Sequence, residues 1–253
     1  MASRSRGAGY ATFAAIGMAA GLSGLGALSL IYQDTVLQWE PVPASWPHHA
    51  ALGAGSGLVL LAGGILMAMR RTRALGAGVA AGFIGLWVLG LHLPRMFAKP
   101  ADLPGWLAIA ECSAMALGGF LARRELMGGP GRTTTLETRL FGLCCLVFGA
   151  SHFLFARFTA AMVPAWLPMR LDLAYLTGAI HALTGLALLA GFRPRWAAAI
   201  EALMMTAFVA LVHLPRVAAK PGDRTELTLL FVAVTLSSAA WIVATSRTAS
   251  RRG

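Results

Sequence analysis

The residues best suited to chemistry are four histidines with arginines close by, standing in or beside long apolar runs. His92-Leu-Pro-Arg95 and His213-Leu-Pro-Arg216 are near copies, His152 and Arg157 close a third run, and His181 sits mid-run in Thr177-Gly-Ala-Ile-His181-Ala-Leu-Thr-Gly185. Polar side chains are expensive in hydrocarbon, so each is a functional candidate, with a bundle-facing structural role as the plain alternative. Imidazoles with guanidinium groups nearby suit the oxygens of a quinone-like or anionic ligand. The plain reading of both His-Leu-Pro-Arg copies is that Pro ends the helix and the Arg and Lys beyond reach lipid headgroups. For His181 the choice is between a hydrogen bond to Thr at a small-residue helix contact and a proton-relay or ligand role.

Other chemistries are weighed against the same residues. Paired histidines on neighbouring helices can hold a b-type haem, but an axial His beside a Pro-Arg terminus would leave the macrocycle partly among headgroups, which argues against haem. No metal site is expected. Glu201 is expected to reach out of its run towards Arg195, and Glu111 has no evident partner. Cys112, Cys144 and Cys145 form no Cys-x-x-Cys pair and read as buried apolar filler. Walker A, dinucleotide, nucleophile-elbow and His-Glu-x-x-His motifs are absent from the sequence, so nothing marks the chain as an enzyme by itself.

The elements that must carry these residues follow from composition. Of 253 residues, 57% are apolar and 12% charged, with a mean hydropathy of +0.69, too apolar for a water-covered surface. Apolar runs near 9 to 31, 48 to 69, 74 to 93, 104 to 122, 138 to 156, 172 to 191, 196 to 214 and 226 to 245 predict about eight transmembrane helices. The fold class is therefore all-α and polytopic, because the runs lack the alternation of a barrel. The net charge of +11 lies at helix ends without aromatic interleaving, which argues against nucleic acid as a partner and for the bilayer. Of 21 Lys and Arg, 14 fall on the side holding both termini, which predicts cytoplasmic ends.

The sequence repeats at an offset of 121 residues. His92-Leu-Pro-Arg-Met-Phe-Ala-Lys-Pro-Ala-Asp102 matches His213-Leu-Pro-Arg-Val-Ala-Ala-Lys-Pro-Gly-Asp223 at eight of eleven positions, and Pro43, Pro47, Gly57 and Gly64 fall on Pro164, Pro168, Gly178 and Gly185. This divides the chain into a first four-helix membrane repeat (1–122), a cytoplasmic linker (123–137) and a second repeat (138–253). Four spans per repeat is an even number, so the two should be parallel. Arg4 and Arg6 before an apolar run look like a signal peptide, but the counterpart of that run lies mid-chain, which argues against cleavage.

Ser151-His-Phe153, Met162-Val-Pro-Ala-Trp-Leu-Pro168, Tyr175-Leu-Thr-Gly178 and Gly185-Leu-Ala-Leu-Leu189 together resemble the DoxX-like membrane proteins over roughly residues 138 to 221. The resemblance implies a bacterial inner-membrane protein, in a group that includes a subunit of a thiosulfate to quinone oxidoreductase and partners of oxidative-stress enzymes. Many such proteins carry Glu where this chain has His181, and they have one four-helix unit rather than two. The expected function is an accessory or quinone-interacting subunit with a redox partner, using an outer-face pocket of His152, Arg157, His181 and His213, with His92, Arg95 and Arg216 as further candidates. A small-solute or lipid carrier, or an anchor for a partner enzyme, is the alternative.

Overall fold

The computed structural model describes residues 2–128 and 134–246; the middle of the linker and the last residues lie outside the described part. Among the described residues the chain is helical and has no strand. The order is α1 (Ala2–Tyr32), a 3-10 turn (Leu37–Trp39), α2 (His49–Ala68), α3 (Arg73–Trp87), a π turn (Val88–His92), α4 (Leu93–Ala98) and α5 (Leu103–Leu126). The second half continues with α6 (Thr134–Leu154), α7 (Ala156–Met162), α8 (Arg170–Ala190), α9 (Pro194–Phe208), a π turn (Val209–His213), α10 (Leu214–Ala219) and α11 (Arg224–Thr245). Seven helical stretches are long and apolar enough to cross a membrane, and α6 with α7, bent by 91°, would make an eighth.

The offset of 121 recurs in the backbone. The bounds of α3, its π turn and α4 fall residue for residue on those of α9, its π turn and α10. His48 and Met169, also 121 apart, both precede their helices in the left-handed region, at φ 60° and 54°. Asp102 and Asp223 both cap the helix that follows, accepting from Gly105 N–H in one half and from Thr225 and Glu226 N–H in the other.

Pro94 and Pro215 do not end their helices, contrary to the expectation from sequence. Each follows a π turn in which the N–H of Leu93 or Leu214 bonds to a carbonyl five residues back, Val88 or Val209. The wider turn takes up the carbonyls that the proline ring would otherwise strike and leave unpaired, so the chain stays helical to Ala98 and Ala219.

Small residues set the helix contacts. A Cβ on Gly57 would lie 2.8 Å from Gly26 O and one on Gly64 2.7 Å from Ala19 O, so α2 touches the α1 backbone directly. Their counterparts Gly178 and Gly185 let α8 approach α6 in the same way, the latter with 2.7 Å to Gly142 O. Packing runs as a ring, with α1 on α2, α3, α5, α6, α8, α9 and α11 in succession and α11 returning to α1, while α5 crosses to α11 through the middle. The two halves therefore interlock, each closing its circuit with the last helix of the other. The outward faces are apolar, carrying Leu58, Leu86, Leu183 and Leu203.

Three arginines clasp the ends. Arg95 pairs with Asp102 at 2.9 Å, and its counterpart Arg216 pairs with Glu226 at 2.6 Å. Arg224, at the start of α11, reaches into the first half, donating to Asp34 Oδ2 at 2.7 Å and to Thr35 O at 2.6 Å. Burial alone would raise the Asp34 carboxyl, but the hydrogen bonds from Arg224 and the Thr35 amide outweigh it and hold it below its ordinary value.

Candidate functional site

The densest buried polar cluster lies in the second half, between α6, α8 and α9. His181, the twelfth residue of α8 and 2% exposed, meets Glu201 of α9, which has no exposed surface. His181 Nδ1 stands 2.6 Å from Glu201 Oε1, the imidazole N–H donating to the carboxylate. The Thr184 hydroxyl, one turn along α8, donates to Glu201 Oε2 at 2.6 Å. An imidazole, a hydroxyl and a carboxylate thus satisfy one another away from water, which is the condition for keeping such groups among apolar helices.

His152 of α6 adjoins this pair. Its ring meets His181 edge-on, centroids 4.9 Å apart, and stacks on Phe208 of α9 at 5.9 Å, while Phe148 closes over His181 at 5.6 Å. His152 Nδ1 lies 2.9 Å from Thr177 Oγ1. The Thr177 hydroxyl can donate to Leu173 O, 2.8 Å away, and Ala174 O, which can only accept, lies 3.4 Å from the same Nδ1, so both contacts are met when the imidazole N–H is the donor. That fixes the Nδ1–H tautomer and leaves Nε2 of His152 with a free lone pair, able to accept a hydrogen bond or a proton.

The other expected site residues go elsewhere. His92, 1% exposed, is a core residue: its Nε2 is 2.9 Å from Trp39 O, and Cys112 Sγ lies 3.5 Å away. Glu111, for which the sequence offered no partner, accepts from the Trp39 indole N–H at 2.6 Å. Arg95 and Arg216 are taken up by their carboxylates, and Arg157 lies on the exposed surface of α7. His213 sits at the end of its π turn with a buried Nδ1 that has no hydrogen-bond partner among the described residues. Its counterpart His92 is satisfied by Trp39 O, whereas the residue matching Trp39 is Ala160, in a helix that packs on α8 and α6 instead.

For haem the geometry is unfavourable. His92 Nε2 is spent on a carbonyl, and His152 and His181 are in direct ring contact, leaving no space for a macrocycle between them. Among the described residues no three His, Cys, Asp or Glu side chains converge as a metal site.

Sequence reasoning missed the His181–Glu201 pairing, assigning Glu201 to Arg195 instead. The repeat held the signal. The first-half counterparts of His181 and Glu201 are Leu60 and Ala80, both buried, so two apolar positions on neighbouring helices become polar together in the second half. Glu40 was also missed. It is 4% exposed beyond the 3-10 turn, accepts from Ser56 Oγ at 2.8 Å and from Val36 N–H at 3.2 Å, and burial pushes its carboxyl up to about 7.

Comparison with known proteins bears on this half alone. No curated protein and no solved structure matches the chain. A family described as a domain of unknown function (DUF8561) matches residues 141–245, a stretch that runs from α6 to the end of α11 and contains His152, His181, Glu201 and His213.

Proposed function

We propose that the chain is a DoxX-like protein of the bacterial inner membrane, spanning it eight times as two parallel repeats with both termini cytoplasmic, and that it serves as a quinone-interacting subunit of a redox or oxidative-stress complex. The observation that carries the reading is the His152–His181–Glu201–Thr184 cluster, held inside helices that are apolar on their outer faces. A quinone site in a bilayer needs a base or donor for the ring oxygens and a flat apolar wall for the ring. His152 Nε2 can accept the hydroxyl proton of a quinol, the neighbouring His181–Glu201 pair can stabilise the resulting imidazolium, and Phe208 supplies the wall. Electrons would pass to or from a partner subunit, since this role asks the chain only to bind and to exchange protons.

The test is a lipid extract of the protein purified in mild detergent. The reading expects quinone to co-purify at close to one equivalent, and to fall about ten-fold in His152→Ala, as loss of one charge-assisted hydrogen bond would give. Quinone at bulk-lipid levels in both proteins would refute it.

A second reading, a carrier for a small solute, is favoured by the paired π turns. Irregular helical segments at corresponding positions of two repeats are where carriers place substrate sites and hinges. Solute uptake into proteoliposomes, lost when Pro94 and Pro215 are both replaced by Ala, would establish it.

A further inference from the structure

The sharp bend between α6 and α7 creates a feature that the buried cluster does not use. Beneath it, Arg157, Ala160 and Ala161 of α7 face Met169, Arg170, Leu171 and Asp172 at the start of α8 across a cavity of about 490 Å³. Three charged groups line this cavity, two guanidinium and one carboxylate, and none of them has an ion-pair partner within the described residues. Arg95, Arg216 and Arg224, by contrast, each hold a carboxylate. The charges are also particular to the second half: the counterparts of Arg157, Arg170 and Asp172 are Val36, His49 and Ala51.

The rim of the cavity is apolar. Met169, which lines it, is 68% exposed, and Phe158, next to Arg157 on the helix turned about a right angle from α6, is 70% exposed. Aromatic side chains held beside arginines on a helix lying across a spanning helix are what the headgroup layer of a bilayer accommodates.

We propose that this cavity binds the headgroup of a phospholipid bearing a primary ammonium, of the phosphoethanolamine type. The Arg157 and Arg170 guanidinium groups take the phosphodiester oxygens, for which their forked donors are suited. Asp172 takes the ammonium, whose N–H groups can donate to its carboxylate; a quaternary choline has no such donor. Exposed Met169 and Phe158 lie along the glycerol and the first acyl carbons, which selects a lipid over a water-soluble phosphate. The cavity is open on one side, so a headgroup can sit in it while its acyl chains remain in the bilayer. This inference rests on the membrane-spanning reading but is independent of quinone binding.

Native mass spectrometry of the full chain, released from detergent with phosphatidylethanolamine or phosphatidylcholine of matched acyl chains, tests it. The proposal expects about ten-fold stronger retention of the ethanolamine lipid. Arg157→Ala with Arg170→Ala should remove that retention, and Asp172→Asn should abolish the preference while leaving a weaker, headgroup-indifferent binding. All three side chains are exposed, and an unchanged melting temperature of each variant confirms that the fold is intact. Equal retention of the two lipids by the unsubstituted chain, or undiminished ethanolamine-lipid retention in the double arginine variant, would overturn the proposal. Displacement of the lipid by millimolar water-soluble phosphoethanolamine would overturn its assignment to the bilayer. Quinone content of the same preparations should not change, so failure of one site is distinguishable from failure of the other.

Discussion

The repeat supplies its own control for the His181–Glu201 pair, because the first half fills the same two positions with Leu60 and Ala80. Replacing one partner leaves a buried polar or charged group unmatched: Glu201→Ala strands the His181 N–H, and His181→Leu strands a carboxylate with no exposed surface. Such single changes cost about 3 to 5 kcal/mol. The double variant His181→Leu with Glu201→Ala recreates the first half's pairing. Leu replaces an imidazole of similar bulk, Thr184 falls back on Ile180 O at 2.8 Å, and the remaining loss is the volume of the Glu side chain, about 50 Å³, or about 1 kcal/mol at the usual cavity cost. The double variant should therefore be more stable than either single one by about 2 kcal/mol or more, a strongly non-additive cycle. Unfolding in mixed detergent and dodecyl sulfate micelles, followed by far-ultraviolet circular dichroism, measures all four proteins. Destabilisation of the double variant equal to the sum of the two singles would refute the reasoning, since it would mean that the groups do not satisfy each other. If the double variant also loses quinone, the pair is there for function, because packing alone does not require it.

Other predictions follow from groups at the helix ends and in the core. Glu40 binds its proton more tightly folded than unfolded, so its contribution to stability is full below pH 4.5, falls as pH rises and is gone above about pH 7; across that window the loss is about 3 kcal/mol, and Glu40→Gln should flatten the melting-temperature profile there. A profile unchanged by that substitution would count against the buried position of Glu40. Asp34 has the opposite sign: its lowered pKa adds stability above its ordinary value of 3.8 that disappears as pH falls through the folded value, and Asp34→Asn should remove this acid limb. Arg224→Ala breaks the partly exposed clasp between the halves and should cost about 1 kcal/mol, read as a lower midpoint in the same micelle titration. Cys112, Cys144 and Cys145 are all buried, so maleimide should label none of them in the folded protein and all three after dodecyl sulfate denaturation.

Much of the architecture was legible because it follows from hydrophobic run length. Each of the eight runs falls on a long helix, the fifth on α6 just before its sharp bend into α7, while the glycines Gly57, Gly64, Gly178 and Gly185, read from sequence only as marks of the repeat, lie at the two close helix pairs. The ends were misread where local rules met a wider turn. Pro94 and Pro215 read as stops, and only a π turn, which has no sequence signature of its own, shows why they are not. For the site, burial and partner were the illegible quantities. His92 and His213 share the stretch His-Leu-Pro-Arg, yet one meets Trp39 O and the other has a nitrogen without a partner among the described residues, because the segments that close over them differ between the halves. His152 and His181 stand 29 positions apart, and nothing in their flanking residues fixes the rotation of α6 against α8 that brings the rings together.

The claim underlying all of this is that two parallel four-span units lie in one membrane. Ala44 and Ala165 occupy equivalent, exposed positions in the two halves, and Thr72 and Arg193 are equivalent at the opposite helix ends. Single cysteines placed at each, with the native thiols buried, can be labelled by a membrane-impermeant maleimide in sealed vesicles of known orientation. Positions 44 and 165 should react from the extracytoplasmic side and positions 72 and 193 from the cytoplasmic side only. Labelling of 44 and 165 from opposite sides would contradict the account.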